Sequence, residues 1–502
     1  MENMDTDDDK KDLDNKSIVP SGSDDSKTKS FKSKKKKKST VVQVGDNELN
    51  DMIVDDTIST TCNYEKMNES EENWESENET EEEEVENDKK KDVYLPHKPL
   101  RHNEELVCDE SAYIMLREVQ TGAPCLSFDI IKDELGTNRT EFPLTCYLVA
   151  GTQASKLNEN CIIVMKTSNL HKTQNTKDDE DDEEEESDED EEESEENQPR
   201  MDYASIAHYG CINRIRSTIA NNTILAASWS ELGKVYIWDL KTQIQAVNDV
   251  ALLSKYRQDD LTVKTKPIFT FSGHQSEGFA LDWCPTSEGI LATGDCKRNI
   301  HLWQFDESGW RVDQRPLIGH TNSVEDLQWS PNERHVLCSA SVDKTIRIWD
   351  TRATGQKACM ITVENAHKSD VNVIHWNKNE PFIVSGGDDG FIHIWDLRQL
   401  KSEKPVATFK HHTAPVTTVE WHPTESTVFA TGGEDNQIAL WDLSVEKDEE
   451  SKEEEIENVP PQLLFIHQGQ QEIKELHWHP HIPGLVISTA LSGFNIFRTI
   501  SV

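Results

Sequence analysis

The chain has 502 residues, with Lys and Arg totalling 52 against 95 Asp and Glu, a formal net charge of −43 at pH 7. A field of that sign repels nucleic acid and anionic membranes and draws in basic proteins. No N-terminal apolar stretch and no run of about 18 apolar residues occurs, so the expectation is a soluble intracellular protein without a membrane span. The ten cysteines are scattered, with no C-x-x-C pair and no Cys/His cluster at metal spacing; reduced thiols, no metal and no cofactor are expected.

In chain order, residues 1–92 are polar, highly charged and nearly free of aromatics, which predicts a disordered tail. It holds Lys32 and the lysines 34–38, a basic block that reads as a nuclear import signal, and then an acidic stretch, residues 51–91, of about −12. Residues 93–123 form a separate segment with a short amphipathic helix over 109–121. There Ala112, Met115, Leu116 and Val119 follow the i, i+3, i+4, i+7 rule, Asp109 is placed to cap, and Gly122 and Pro124 stop the helix. From residue 124 to 502, short β-branched and aromatic runs alternate with Gly, Asp, Asn and Pro turns, and no long helical periodicity returns.

The self-similarity of that region decides the fold. Trp238-Asp239, Trp303-Gln304, Trp349-Asp350, Trp395-Asp396 and Trp441-Asp442 recur, the last four Trp at a constant spacing of 46, and a degenerate copy ends at Phe497-Arg498. His208, His274, His320, His367, His412 and His467 precede them, and Trp283, Trp329, Trp376, Trp421 and Trp478 end an apolar strand in between. The pattern resembles the WD-repeat family, in which each repeat forms one four-stranded propeller blade. Six repeats follow His208, and a seventh fits 124–167, with strands at 126–131, 144–150 and 161–166. The expected fold is all-β: a seven-bladed WD-repeat propeller with a short N-terminal helix and disordered acidic segments.

Within the repeats, His320, Ser339, Asp343 and Trp349 mimic a Ser-His-Asp catalytic set. The same set recurs as His367, Ser385, Asp389, Trp395 and as His412, Thr431, Asp435, Trp441. A nucleophile is needed once, not three times at one spacing, so these read as buried hydrogen-bond relays. Lys297 and Leu232 occupy the turn position of two other blades, which are expected to rely on packing. No phosphate-cradling loop, H-E-x-x-H or G-x-S-x-G motif is present, and no enzymatic activity is expected.

Two acidic inserts interrupt the propeller. One, expected between the first and second blades, spans 170–200; from Asp178 to Glu196, seventeen of nineteen residues are acidic, among them Asp182, Glu186, Asp190 and Glu193. Extended residues rise about 3.3–3.6 Å each, close to the roughly 3.4 Å per phosphate of one nucleic-acid strand. The tract therefore imitates the polyanion that ribosomal proteins and histones grip, and its self-repulsion is expected to keep it off a mildly acidic propeller. Ser187 and Ser194 within it, and Ser70 and Ser76 earlier, each precede acidic residues and are candidates for acid-directed phosphorylation. The second insert, 444–461, is acidic and ends in Pro460-Pro461.

The helix before the first blade, with residues 122–131 and 150–155 after it, and the Pro-Pro loop resemble the histone-binding WD-repeat proteins of the retinoblastoma-binding and chromatin-assembly type. That resemblance implies a groove for a basic helix lined by Tyr113, Leu116, Glu457, Asn458, Val459, Pro460, Pro461 and Leu464, with Asn458-Val459 where related members carry Asp-Gly. With the glutamate-rich insert added, residues 93–502 resemble the glutamate-rich WD-repeat ribosome-assembly factors. This implies a nucleolar chaperone, able to shuttle to the cytoplasm, for a basic ribosomal protein of the large subunit, associated with pre-ribosomal particles and able to bind histones. Neither sequence-specific nucleic-acid binding nor a membrane partner is expected. Two alternatives stand beside it: a histone chaperone or chromatin-complex subunit, and a substrate receptor of a cullin ubiquitin ligase. The second rests on Trp-Asp-x-Arg ends that present Arg352 and Arg398 to a ligase adaptor.

Overall fold

A computed structural model describes residues 107–173, 198–446 and 459–502. Among them are seven four-stranded antiparallel sheets, the blades of a propeller. The first blade runs outward through Cys125–Ile130, Leu144–Thr152, Cys161–Leu170 and Arg200–Ala207, so the 170–200 insert joins its last two strands rather than the first blade to the second, the fourth strand having carried no repeat mark in the sequence. The innermost strands of the second to sixth blades are Ile212–Ala220, Ala280–Trp283, Val324–Trp329, Val371–Trp376 and Val416–Trp421.

The seventh blade is composite. Glu475–Trp478, Leu485–Ala490 and Gly493–Thr499 come from the end of the sequence, and the outermost strand is Tyr113–Val119. It lies antiparallel to Gly493–Thr499, with Leu116 opposite Phe497 and Val119 opposite Phe494. This corrects the helix expected over 109–121: only Glu110–Ala112 is helical, a single 3-10 turn capped by Asp109. The helical spacing was genuine, but so was the alternation of Tyr113, Met115, Arg117 and Val119, all buried. A helix of about three turns is marginal alone, whereas the strand saturates the open edge that would otherwise end the ring.

Three short helices are the second departure. α1 (Lys241–Val247), α2 (Val250–Gln258) and α3 (Leu261–Lys264) are inserted before the outermost strand of the second blade, Phe269–Phe271. Asp249 caps α2 by accepting the amides of Ala251 (2.8 Å) and Leu252 (3.1 Å). Ala246, Val247, Leu253 and Tyr256 bury themselves against the outer strands of the first blade and the second. The Asp cap and the Leu253/Tyr256 spacing are legible in the sequence, but each run is too short to stand out as periodicity.

The cores lie between blades: Trp229, Trp303, Trp349, Trp395 and Trp441 are among the largest fully buried side chains. Nine cysteines in the described residues are free thiols, and burial pushes that of Cys125 up to about 12. Met115 is fully buried in the cluster joining the closing strand to the first blade. Met115→Ala is expected to lower unfolding free energy by about 2–5 kcal/mol, measured by denaturant titration, whereas alanine at the exposed Glu110 should have little effect.

Candidate functional site

The three expected relays form as complete chains. In the fourth blade the Trp349 indole donates to Ser339 Oγ (2.7 Å), Ser339 meets His320 Nε2 (2.6 Å), and His320 Nδ1 meets Asp343 Oδ2 (2.9 Å). The fifth repeats this through Trp395, Ser385, His367 and Asp389 at 2.9, 2.8 and 3.0 Å. The sixth does so through Trp441, Thr431, His412 and Asp435 at 3.0, 2.9 and 3.0 Å. Burial alone would raise the Asp389 carboxyl; the bonds from His367 and two amides outweigh it and hold it at about 2. Each hydroxyl is fully buried and already engaged, so none is presented as a nucleophile.

A fourth relay corrects the expectation drawn from Lys297. Trp303 donates to Thr293 Oγ1 (2.9 Å), Thr293 meets His274 Nε2 (2.8 Å), and His274 Nδ1 meets Asp295 Oδ2 (2.9 Å). Asp295 sits two residues before Lys297 and also accepts the amides of Lys297 and Asn299, so it both ends the relay and builds the turn. In the second blade, Trp238, Ser228 and His208 are joined, but His208 Nδ1 ends on the Gly210 carbonyl at 2.8 Å. That blade keeps most of the relay with no carboxylate.

Sequence reading missed the central channel. Each inner strand bonds the next blade: the Asp129 carboxylate accepts the Ser217 amide, Asp282 that of Trp329, and Asp326 that of Ile374. His375 Nδ1 accepts the Trp421 amide, and Glu475 accepts that of Phe128, tying the last blade to the first. Glu475 is the hub. It meets Arg214 (2.7 Å) and Arg216 (2.5 Å), while His477 lies 2.6 Å from Glu420. Burial would raise Glu475, but Arg216, Arg214 and His477 outweigh it and hold it well below the usual carboxylate range. Burial would lower His477, yet Glu420 and Glu475 outweigh it and raise it to about 10. A cavity of about 330 Å³ lies along these side chains. Nothing in local sequence announces them; only closure brings residue 475 to residues 214 and 216.

The groove residues are brought only partly together. Tyr113 does not line a surface. It is buried, its hydroxyl bonds His467 Nδ1 (2.8 Å), and its ring packs edge-on to Phe465 at 5.3 Å. The strand bulges between Tyr113 and Met115, so Tyr113 and Leu116 pack against the same cluster, Tyr113 buried within it and Leu116 half-buried at its margin. Val459, Pro460 and Leu464 are half-buried and Pro461 is exposed. The Leu463 amide donates to the Pro460 carbonyl (3.0 Å), and Gln462 Nε2 donates to the Val445 carbonyl (2.9 Å), pinning both ends of that loop together. Glu457 and Asn458 lie outside the described residues, as do the tract residues Asp178, Asp182, Glu186, Asp190, Glu193 and Glu196, the lysines 32–38 and Ser70, Ser76, Ser187 and Ser194.

Beside Leu116 runs a segment the sequence did not flag. The Thr173 amide donates to the Ile114 carbonyl (3.0 Å), Thr173 Oγ1 accepts the Leu116 amide (2.9 Å), and Arg117 donates to the carbonyls of His171 and Lys172. The chain entering the acidic insert is thereby laid on the free edge of the closing strand. Arg352 and Arg398 occupy matching positions of the adjacent fourth and fifth blades. Each is held by its repeat aspartate, Asp350 or Asp396, with side chains 69% and 66% exposed.

This architecture defines a WD-repeat propeller. Family models agree: the WD domain G-beta repeat matches residues 265–304, and the MIOS WD40 repeat matches 307–497. The family model of the histone-binding protein RBBP4 and its counterpart in the CAF1 complex matches 103–171. The chain is 45% identical to glutamate-rich WD repeat-containing protein 1 of Dictyostelium discoideum over 80% of this chain and 83% of that one. It is 43% identical to the ribosome assembly protein rrb1 of Schizosaccharomyces pombe over 87% and 94%. It is also 43% identical to protein HEAT STRESS TOLERANT DWD 1 of Arabidopsis thaliana over 79% and 88%. The chain belongs to the glutamate-rich WD-repeat family.

Two outcomes are expected. Asp295→Ala should cost about 1–3 kcal/mol by stranding His274, while Lys297→Ala should stay within about 0.5 kcal/mol, both read by denaturant unfolding. Because His477 is raised on folding, its contribution is fully present below its ordinary value of 6.5 and is lost as pH rises through about 10. Unfolding midpoints should therefore fall between pH 7 and 10, and His477→Gln should flatten that dependence.

Proposed function

We propose that this protein is a non-enzymatic acidic chaperone of the nucleus and nucleolus that escorts a basic ribosomal protein of the large subunit during ribosome assembly, with histones as second ligands. The propeller rim supplies recognition and the acidic segments supply shielding and fast capture. The observation that carries this reading is where the acidic segments are rooted. His171–Thr173, which lead into the 178–196 tract, lie on the closing strand at Ile114 and Leu116. Val445 and Gln462, which bracket the second acidic stretch, belong to the neighbouring sixth blade, whose Phe465 touches Tyr113 of that strand. Two polyanionic segments thus spring from one flank, beside Leu116, Val459, Pro460, Pro461 and Leu464, and a basic client held there meets both. The relative named as a ribosome assembly protein supports the ribosomal client, and the histone-binding family match over this flank supports the second ligand.

Affinity purification of the endogenous protein from a nuclear extract at moderate salt tests it. A stoichiometric large-subunit ribosomal protein with few histones is expected. Histones at stoichiometric levels, with ribosomal proteins at background, would move the assignment to a chromatin chaperone. Replacing the seventeen carboxylates of 178–196 by amides should lower client affinity at least about tenfold at low salt and flatten its salt dependence.

A second role is favoured by one observation. Arg352 and Arg398, both exposed and both anchored by an aspartate, present two guanidinium groups from adjacent blades, and a relative carries DWD in its name. They would dock the propeller on a cullin-ligase adaptor. Arg352→Ala with Arg398→Ala should abolish adaptor co-purification without loss of thermal stability; an adaptor retained at wild-type levels dismisses this role.

A further inference from the structure

The helical insert of the second blade is cationic in an acidic protein. It carries Lys241, Lys255, Arg257, Lys264 and Lys266 against Asp249, Asp259 and Asp260, and Asp249 is engaged as a helix cap. All five cations are exposed, and among the described residues none meets a carboxylate. Unpaired lysines occur elsewhere on the described surface; here five cations fall within 26 residues on one helical insert. Five exposed cations against three aspartates leave this insert net positive in a chain of net charge −43, which suits an anionic occupant.

The fold places a strong candidate beside it. α1 and α3 pack on Arg200–Ala207, the outermost strand of the first blade. Tyr256 Oη donates to the Ser205 carbonyl (2.7 Å), and the Arg257 guanidinium lies 5.1 Å from the Tyr203 ring. That strand is the one into which the chain returns from the acidic tract, since Glu196 precedes Arg200 by four residues and Tyr203 by seven. Seven residues span at most about 25 Å, so the last carboxylates of the tract are tethered within reach of Arg257, Lys264 and Lys266.

We propose that the solvent side of this insert, centred on Arg257, Lys264 and Lys266, is a docking surface for the chain's own acidic segment, residues 178–196, and holds it against the second blade when no basic client is bound. The proposal rests on the reading of that segment as client-binding. A tether this short gives an effective concentration in the millimolar range, so weak exposed ion pairs suffice for contact. The same weakness makes release easy. Five cations leave most of the seventeen carboxylates uncompensated, so a client with a denser basic surface displaces the insert. Docking therefore raises the threshold for capture and turns away weakly basic proteins. The self-repulsion that was expected to keep the tract off the propeller is overcome locally by this patch.

Carbodiimide cross-linking of the full-length chain without client, followed by peptide mass spectrometry, tests the contact. Links from the 178–196 segment are expected to concentrate on Lys255, Lys264 and Lys266 and to fall several-fold at about 0.5 M salt. Links spread evenly over the surface, with Lys357, Lys401 and Lys404 reached as often, would overturn the proposal. A second measurement uses Arg257→Gln, Lys264→Gln and Lys266→Gln combined. Affinity for a ten-residue oligolysine probe should rise at least about threefold at low salt and match the parent at high salt; an unchanged affinity at low salt would also overturn it. Cross-linking involves no client, so failure of the client reading, seen as no oligolysine binding by either chain, is distinguished from failure of this contact.

Discussion

Ring closure is the constraint on which everything else in this molecule depends. A blade cannot bury both faces alone, and an unclosed ring ends in a bare strand edge. Here the edge is filled by Tyr113–Val119 pairing with Gly493–Thr499, two segments almost four hundred residues apart in the chain. The loop-closure penalty grows only slowly with length, and the strand brings Met115 and Val119 into the core shared with the first blade. Closure also brings Glu475 within bonding distance of Arg214 and Arg216 and of the Phe128 amide, so the seventh blade is tied to the first two by charge as well as by packing.

Two polar systems sit inside this apolar frame, and they solve the same problem. A buried hydroxyl, imidazole or carboxylate is costly unless its bonds are made. The relays make them within a blade, from indole through hydroxyl and imidazole to a turn carboxylate, or to the Gly210 carbonyl in the second blade. The channel side chains make them between blades, each carboxylate accepting an amide of the next strand along. Neither arrangement leaves a primed nucleophile, which is why a motif so similar to a catalytic set works as a structural element.

Closure leaves the outer rim free to vary, and the rim carries the functional reading. Long insertions are tolerated where strand order is fixed by the blade, and both acidic inserts leave from such connections: one between the last two strands of the first blade, one before the outermost strand of the sixth. Because the seventh blade lies between them, their roots share a flank with the closing strand. The proposed client-recognition flank, the roots of the acidic segments and the cationic insert are thereby distributed over four consecutive blades, leaving the exposed arginines of the fourth and fifth on a separate sector.

The repeat itself was legible, because a blade is a local unit: His320, Ser339, Asp343 and Trp349 lie within thirty residues and recur at a constant spacing, so composition and period suffice to name the fold. The acidic tracts were legible for the same reason, since net charge needs no geometry. Tertiary structure decided what depends on distant partners. Met115 and Val119 fit a helix as well as a strand until Gly493–Thr499 offered hydrogen bonds, and Asp295 supplies the relay carboxylate that Lys297, at the aligned turn position, cannot, because turn geometry aims it at His274. The hub at Glu475, the seat of Thr173 on the closing strand and the cationic insert beside residue 200 were invisible in sequence. Each is a meeting of segments set far apart along the chain or joined through an outside tract, and only a closed ring brings them to one place.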